Sequence, residues 1–104
     1  MRRAARTDGN HADVVKALRG AGMAVRSMAG VGQGFPDLLV AFRDTLVLLE
    51  VKDGSLPPSE RKLTQQEAEF IAAWPKTYVV TSPEEAVNAV VEAARPAGSG
   101  EEAR

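Results

Sequence analysis

Residues 37–52 read DLLVAFRDTLVLLEVK, and the way this stretch pairs with itself decides the fold. Two apolar runs, 37–42 and 45–51, flank Arg43 and Asp44, which is the pattern of a β-hairpin closed by a short turn. With a two-residue turn Phe42 faces Thr45, and pairing outward sets Asp37 opposite Glu50, with Cβ atoms about 4.5–5.5 Å apart. Lys52 stands two residues beyond Glu50 and so projects from the same face. A three-residue turn would shift the register by one and separate the acids. Leu38, Val40 and Phe42 point to one side of their strand and Leu39 and Ala41 to the other; Val47 and Leu49 likewise oppose Leu46 and Leu48. Both faces are apolar, so the expectation is a central hairpin covered by helices on each side.

Outward from the hairpin the hydrophobic period changes several times. Residues 10–22, NHADVVKALRGAG, predict a helix that Asp8 or Asn10 can cap, with Val14, Val15 and Leu18 as its apolar stripe and Gly20 or Gly22 as its stop. MAVRSM (23–28) is a short strand, and AGVGQGFP (29–36) is a glycine-rich loop ended by proline. KDGSLPPSERK (52–62) is a loop marked by Gly54, Pro57 and Pro58. In LTQQEAEFIAAW (63–74), Thr64 and Glu67 form a capping box, followed by Phe70, Ile71 and Trp74 on one side. KTYVVTS (76–82) is a strand, and Ser82 caps a last helix with Pro83 at its first position and two acids in its first turn. The order α-β-β-β-α-β-α implies an α/β fold with a mixed central sheet flanked by helices.

The 104 residues suit one domain, expected over 8–94, with a basic tail at 1–7 and a flexible polar tail at 95–104. At 44% hydrophobic and 26% charged the composition is that of a globular protein. No apolar run approaches the roughly 20 residues that span a bilayer, and the basic start lacks the apolar segment of a secretory signal. The absence of Cys excludes disulfides and thiolate zinc sites, and fits a reducing cytoplasm. With a single His, His11, a metal held within one chain would have mainly oxygen ligands, which favours Mg²⁺, Mn²⁺ or Ca²⁺. The net charge of −1 gives no hint of a nucleic-acid partner; in its distribution Arg2, Arg3 and Arg6 crowd the start and Lys52, Arg61 and Lys62 bracket the middle loop, while acid dominates from Glu84 onward, a pattern that a DNA-binding stripe and plain solvated surface charge explain equally well.

Two carboxylates facing each other on a sheet repel, the more so where water is scarce. A divalent cation coordinated by Asp37 and Glu50 offsets that repulsion, and the Val51 carbonyl is available as a third oxygen. Such a cation lowers the pKa of bound water and prepares it to attack phosphorus. Lys52 would orient that water or stabilise charge on the scissile phosphate.

GFPD (34–37), twelve residues, then EVK (50–52) is the arrangement PD…(D/E)xK. The chain resembles the PD-(D/E)xK nuclease superfamily, whose core is an αβββαβ layout of the restriction-endonuclease type. More closely, the stretch from GVGQGFPD to LTQQEAEF is similar to the stand-alone VRR-NUC proteins of phages and bacteria, and the likeness runs from about Asn10 to the last helix. It implies Asp37 and Glu50 as metal ligands, Val51 as a ligand through its carbonyl, and Lys52 as the catalytic lysine, with Mg²⁺ or Mn²⁺ as cofactor. The family places an acid in the first helix, where this chain has His11 with Asp13 two residues on. It places a glutamine in the helix after the lysine, where this chain has Glu67 with Gln66 beside it. Asp13 is thus the candidate further metal ligand, and Gln66 or Glu67 the candidate further catalytic group; neighbours are about 100° apart on a helix, so only one points inward. The resemblance further implies an endonuclease acting on branched DNA such as four-way junctions, in replication, recombination or repair, and a homodimer whose two-fold suits paired cuts.

Other readings stay open at this point. A catalytically silent nucleic-acid-binding module, or a phage interaction protein on the same scaffold, would have the same fold. Gly34, Arg61, Lys62 and Lys52 are the candidate DNA contacts. Gly32 and Gly34 do not fit GxxxxGK[ST], so a nucleotide loop is excluded; they permit a tight turn or close approach of a DNA backbone. His11 is expected to face solvent at the helix start. Phe35 and Trp74 are expected in the core or an interface and not as platforms for bases.

Overall fold

In the computed structural model, residues 9–96 are described. Three helices and four strands follow in the expected order: α1 (His11–Gly20), β1 (Ala24–Ser27), β2 (Leu38–Phe42), β3 (Thr45–Val51), α2 (Gln65–Ala73), β4 (Thr77–Val80) and α3 (Pro83–Ala93), with one 3₁₀ turn at Pro58–Glu60. The strands form one sheet in the order β1-β2-β3-β4. β1–β2 and β2–β3 are antiparallel, while β4 returns parallel to β3 after the α2 crossover, giving a mixed sheet compatible with the αβββαβ core. The basic tail, Asp8 as a cap and residues 97–104 of the polar tail lie outside the described residues.

The hairpin turn has two residues. Phe42 pairs with Thr45 and Leu38 with Leu49, so the register is the one that sets Asp37 across from Glu50 one step further out. Arg43 and Asp44 have φ of 52° and 62°, the double left-handed turn whose twist matches that of the strands it joins. Neither residue is the Asn-Gly pair that such turns prefer, and a side chain there costs about 1–2 kcal/mol. Replacing Arg43 and Asp44 by Asn and Gly is therefore expected to raise the melting temperature by several degrees, read by circular dichroism.

One face of the sheet holds the core. Leu38, Val40, Val47, Leu49, Val51 and Val80 are buried against Val14 and Leu18 of α1 and Ala86 and Val90 of α3, each large side chain contributing about 1.5–3 kcal/mol by leaving water. Helix cover on the other face is slighter than the apolar pattern implied. There Leu39, Ala41 and Leu48 are only half-buried and Leu46 is 63% exposed. The reason lies in α2, which has nine residues, none of them buried, and meets this face through its first turn at Lys52. The hairpin end of this face is left as a shallow apolar depression lined by Ala24, Arg26, Leu39, Ala41 and Leu46. Among the described residues no helix is long and apolar enough to cross a membrane.

Candidate active site

The site lies on the second face, at the end of the hairpin opposite its turn. Pro36 is fully buried and delivers Asp37 to the start of β2, where the Asp37 carbonyl accepts from the Met28 N–H at 2.7 Å. In β3 the N–H groups of Leu48 and Lys52 point to the β4 side, so that of Val51 points toward β2, beyond its last paired residue. Asp37 Oδ2 takes that N–H at 2.8 Å. The carboxylate thus stands in for a backbone acceptor and is fixed relative to β3.

Among the described residues Glu50 is the one buried carboxylate, 4% exposed. Burial, then the charges of Asp37 and Glu67, push its pKa up to about 8, against the opposing pull of Lys52. The protonated carboxyl shares a hydrogen bond with Glu67. Lys52 Nζ lies 3.0 Å from Glu67 Oε1 and 3.5 Å from Glu50 Oε2. Burial alone would lower the lysine, but the hydrogen bond to Glu67 and the two acids hold it above its ordinary value. Glu67 is also desolvated, which would raise it; the Thr64 N–H and the Lys52 ammonium outweigh this and hold it below the usual carboxylate range.

Glu67 reaches Lys52 because α2 begins where it does. Thr64 Oγ1 accepts from the Glu67 N–H at 3.1 Å, and Glu67 Oε1 accepts from the Thr64 N–H at 2.9 Å. One oxygen, Oε1, therefore closes the capping box and receives the lysine. Between the neighbours Gln66 and Glu67, it is Glu67 that points inward; the Gln66 side chain is exposed and its backbone runs against Gly34. A Cβ on Gly34 would lie 2.6–2.7 Å from Gln66 backbone and side-chain atoms, and Gly34 has φ +81°. The close approach that needs this glycine is thus that of α2.

The remaining candidates are placed less centrally. Asp13 is exposed in the first turn of α1 and is not among the charges acting on Glu50. His11, expected to face solvent, is half-buried, and its Nε2 is buried without a hydrogen-bond partner among the described residues. Arg61 donates from Nε to the Leu56 carbonyl at 2.8 Å and so shapes its own loop, while Lys62 is exposed. Trp74 is not core: it is 53% exposed.

One positioning residue escaped the sequence reading. Asn10 sits at the α1 start, but its side chain makes no cap. Its Nδ2 donates instead to the carbonyls of Lys52 at 3.3 Å and Thr81 at 3.0 Å, tying α1 to the ends of β3 and β4 beside the site. Local capping preference points elsewhere, and nothing near Asn10 in sequence announces partners so distant.

Among the described residues no three acidic or histidine side chains gather as a ready-made metal cage. What the strand end does bring together is two carboxylates, Asp37 acting on Glu50 by its charge, and the Val51 backbone, whose N–H Asp37 accepts. Comparison with protein-family models, with curated proteins and with solved structures gives no match for this chain.

Proposed function

We propose that the chain is a Mg²⁺- or Mn²⁺-dependent endodeoxyribonuclease of the VRR-NUC kind, hydrolysing phosphodiester bonds in branched DNA as a homodimer during replication, recombination or repair. The observation that carries this reading is the convergence of Asp37, Glu50 and Lys52 at one hairpin end, where burial and then the charges of Asp37 and Glu67 keep a proton on Glu50 up to about pH 8. A structural ion pair has no need of that second acid. A cation-binding pair does, and the donor set, all oxygen, fits a hard divalent ion.

Asp37, Glu50 and the Val51 carbonyl would hold the ion, which when bound supplies Lewis-acid polarisation of the phosphate and a water of lowered pKa. Glu50 gives up its proton to become a ligand, so binding tightens as pH rises. Lys52 places its ammonium against the scissile phosphate, where developing negative charge strengthens the contact. Glu67 holds Lys52 in that position through the α2 cap. Exposed Lys62 and the loop carrying Arg61 offer contacts to flanking phosphates.

Purified protein is expected to cut four-way-junction or flap DNA with Mn²⁺, and Lys52→Ala to lose at least about 100-fold in rate, the scale of a single charge-stabilising group. Equal rates in the two proteins would reject the mechanism. A silent nucleic-acid-binding module is the second reading, favoured by Glu50 being protonated and Lys52 pinned by Glu67 at neutral pH. Calorimetry separates the two, since the silent module binds DNA but takes up no Mn²⁺ at millimolar concentration.

A further inference from the structure

Three of the five aromatic side chains of the chain form a row along α2. Phe35 meets Phe70 edge-on with ring centroids 5.0 Å apart, and Phe70 stacks on Trp74 at 4.9 Å with the planes 4° apart. Trp74 remains 53% exposed although Phe70 covers one side of the indole; a large share of the opposite face must therefore be open. Burial in the core does not explain this side chain.

Its position relative to the site is specific. Glu67, Phe70 and Trp74 are spaced i, i+3, i+7 and share one stripe of the helix. Glu67 ends on Lys52, so the aromatic row starts at the site and runs away from it. At 1.5 Å per residue, Phe70 lies about 4.5 Å and Trp74 about 10 Å along the axis from Glu67. That spans about three bases at the duplex rise of about 3.4 Å, and fewer in a stretched strand. Charge follows the same axis. The cations Lys52, Arg61 and Lys62 and the positive helix end lie at the start of α2, with Lys52 paired to Glu67, while the far end carries the uncharged run Ile71–Ala72–Ala73–Trp74–Pro75, followed by Lys76, whose Nζ donates to the Ala93 carbonyl. Phosphate is favoured at one end and a neutral planar ring at the other.

We infer that Trp74, backed by Phe70, is a stacking ledge for an unpaired nucleobase a few nucleotides from the phosphate held at Lys52. A base inside a duplex offers only its edges to the groove; a base offers its face when it is unpaired, and stacking on it is tolerant of sequence. The ligand is therefore a single-stranded segment, and the ledge selects DNA in which such a segment adjoins the cleavage point. This rests on the nuclease reading of the site, but the two are separable by experiment.

Trp74 is the sole tryptophan, so its emission reports directly on the ledge. In EDTA, full-length protein titrated with a short oligothymidylate is expected to show strong quenching, and a blunt duplex of equal length little. By anisotropy of the labelled oligonucleotide, Trp74→Ala is expected to bind about 5- to 100-fold more weakly, whereas Trp74→Phe, which keeps a ring in place, stays within a few-fold of wild type. Unchanged affinity in Trp74→Ala, or equal quenching by single strand and duplex, overturns the ledge. So does a concentration-dependent dimer, seen by sedimentation, that Trp74→Ala abolishes, since the indole then belongs to a second copy of the chain. Quenching and weakened binding in a protein that never cuts with Mn²⁺ would retain the ledge and reject the nuclease; normal cutting with no effect at Trp74 would do the reverse.

Discussion

Glu50→Gln is expected to make the protein more stable and inactive at once. Wild-type Glu50 is buried among Asp37 and Glu67, and its pKa in the fold is about 8 against an ordinary 4.5. Between those two values the folded state holds a proton that the unfolded chain has released, so stability falls as pH rises through this window and levels off above it. The contribution is therefore fully present below about pH 4.5 and lost above about pH 8. Glutamine has nearly the same shape and no charge to lose. The variant should match wild type near pH 5 and exceed it increasingly up to pH 8.5, where roughly 2 kcal/mol of the penalty, at about 1.4 kcal/mol per pKa unit before solvent and relaxation reduce it, is relieved. For a chain of this size that is a rise in melting temperature of at least about 5 °C. Melts in EDTA at pH 5 and pH 8.5 give the comparison directly. The same variant should lose Mn²⁺ binding and about 1,000-fold or more in cleavage, because a neutral amide replaces an anionic ligand. A flat pH dependence, or a less stable variant at pH 8.5, would mean that neither burial nor the acids around Glu50 oppose its charge, and the reason for a cation there would go with them.

How much of this was legible depended on how local the determining contacts are. The β2–β3 register follows from a two-residue turn and strict alternation, both readable over fifteen residues, even though Arg43 and Asp44 take left-handed backbone that side chains resist. The start of α2 was equally plain from Thr64 and Glu67. That the capping glutamate is also the partner of Lys52 was not, because helix geometry leaves Gln66 and Glu67 as alternatives until the position of Gly34 against Gln66 fixes the rotation of α2. Asn10 defeats local reading altogether: its partners are 42 and 71 residues away. The apolar pattern of β2 and β3 predicted helices on both faces, but not which helices serve which face. Two helices share one side, and the short third covers only the site end of the other.

The second large effect is expected at Gly34. A methyl group there meets the carbonyl carbon, oxygen and Cβ of Gln66 at 2.6–2.7 Å, and helix backbone cannot yield as a flexible side chain would. Gly34 also has φ +81°, which costs an alanine about 1–2 kcal/mol; overpacking adds about 1–3 kcal/mol. Gly34→Ala should therefore lose roughly 2–5 kcal/mol, at least about 10 °C in melting temperature. Gly32 supplies the control, because it has φ +79° and no atom within 4 Å of the position its Cβ would take. Gly32→Ala should show the backbone cost alone, and the difference between the two variants isolates the contact with α2. If α2 shifts to relieve the clash, Glu67 leaves Lys52, so Gly34→Ala should also lose more activity than Gly32→Ala at temperatures where both are folded. Equal melting temperatures in the two variants would mean that α2 does not lie against this loop. Glu67 would then have no fixed path to the lysine, and the site would consist of the hairpin residues alone.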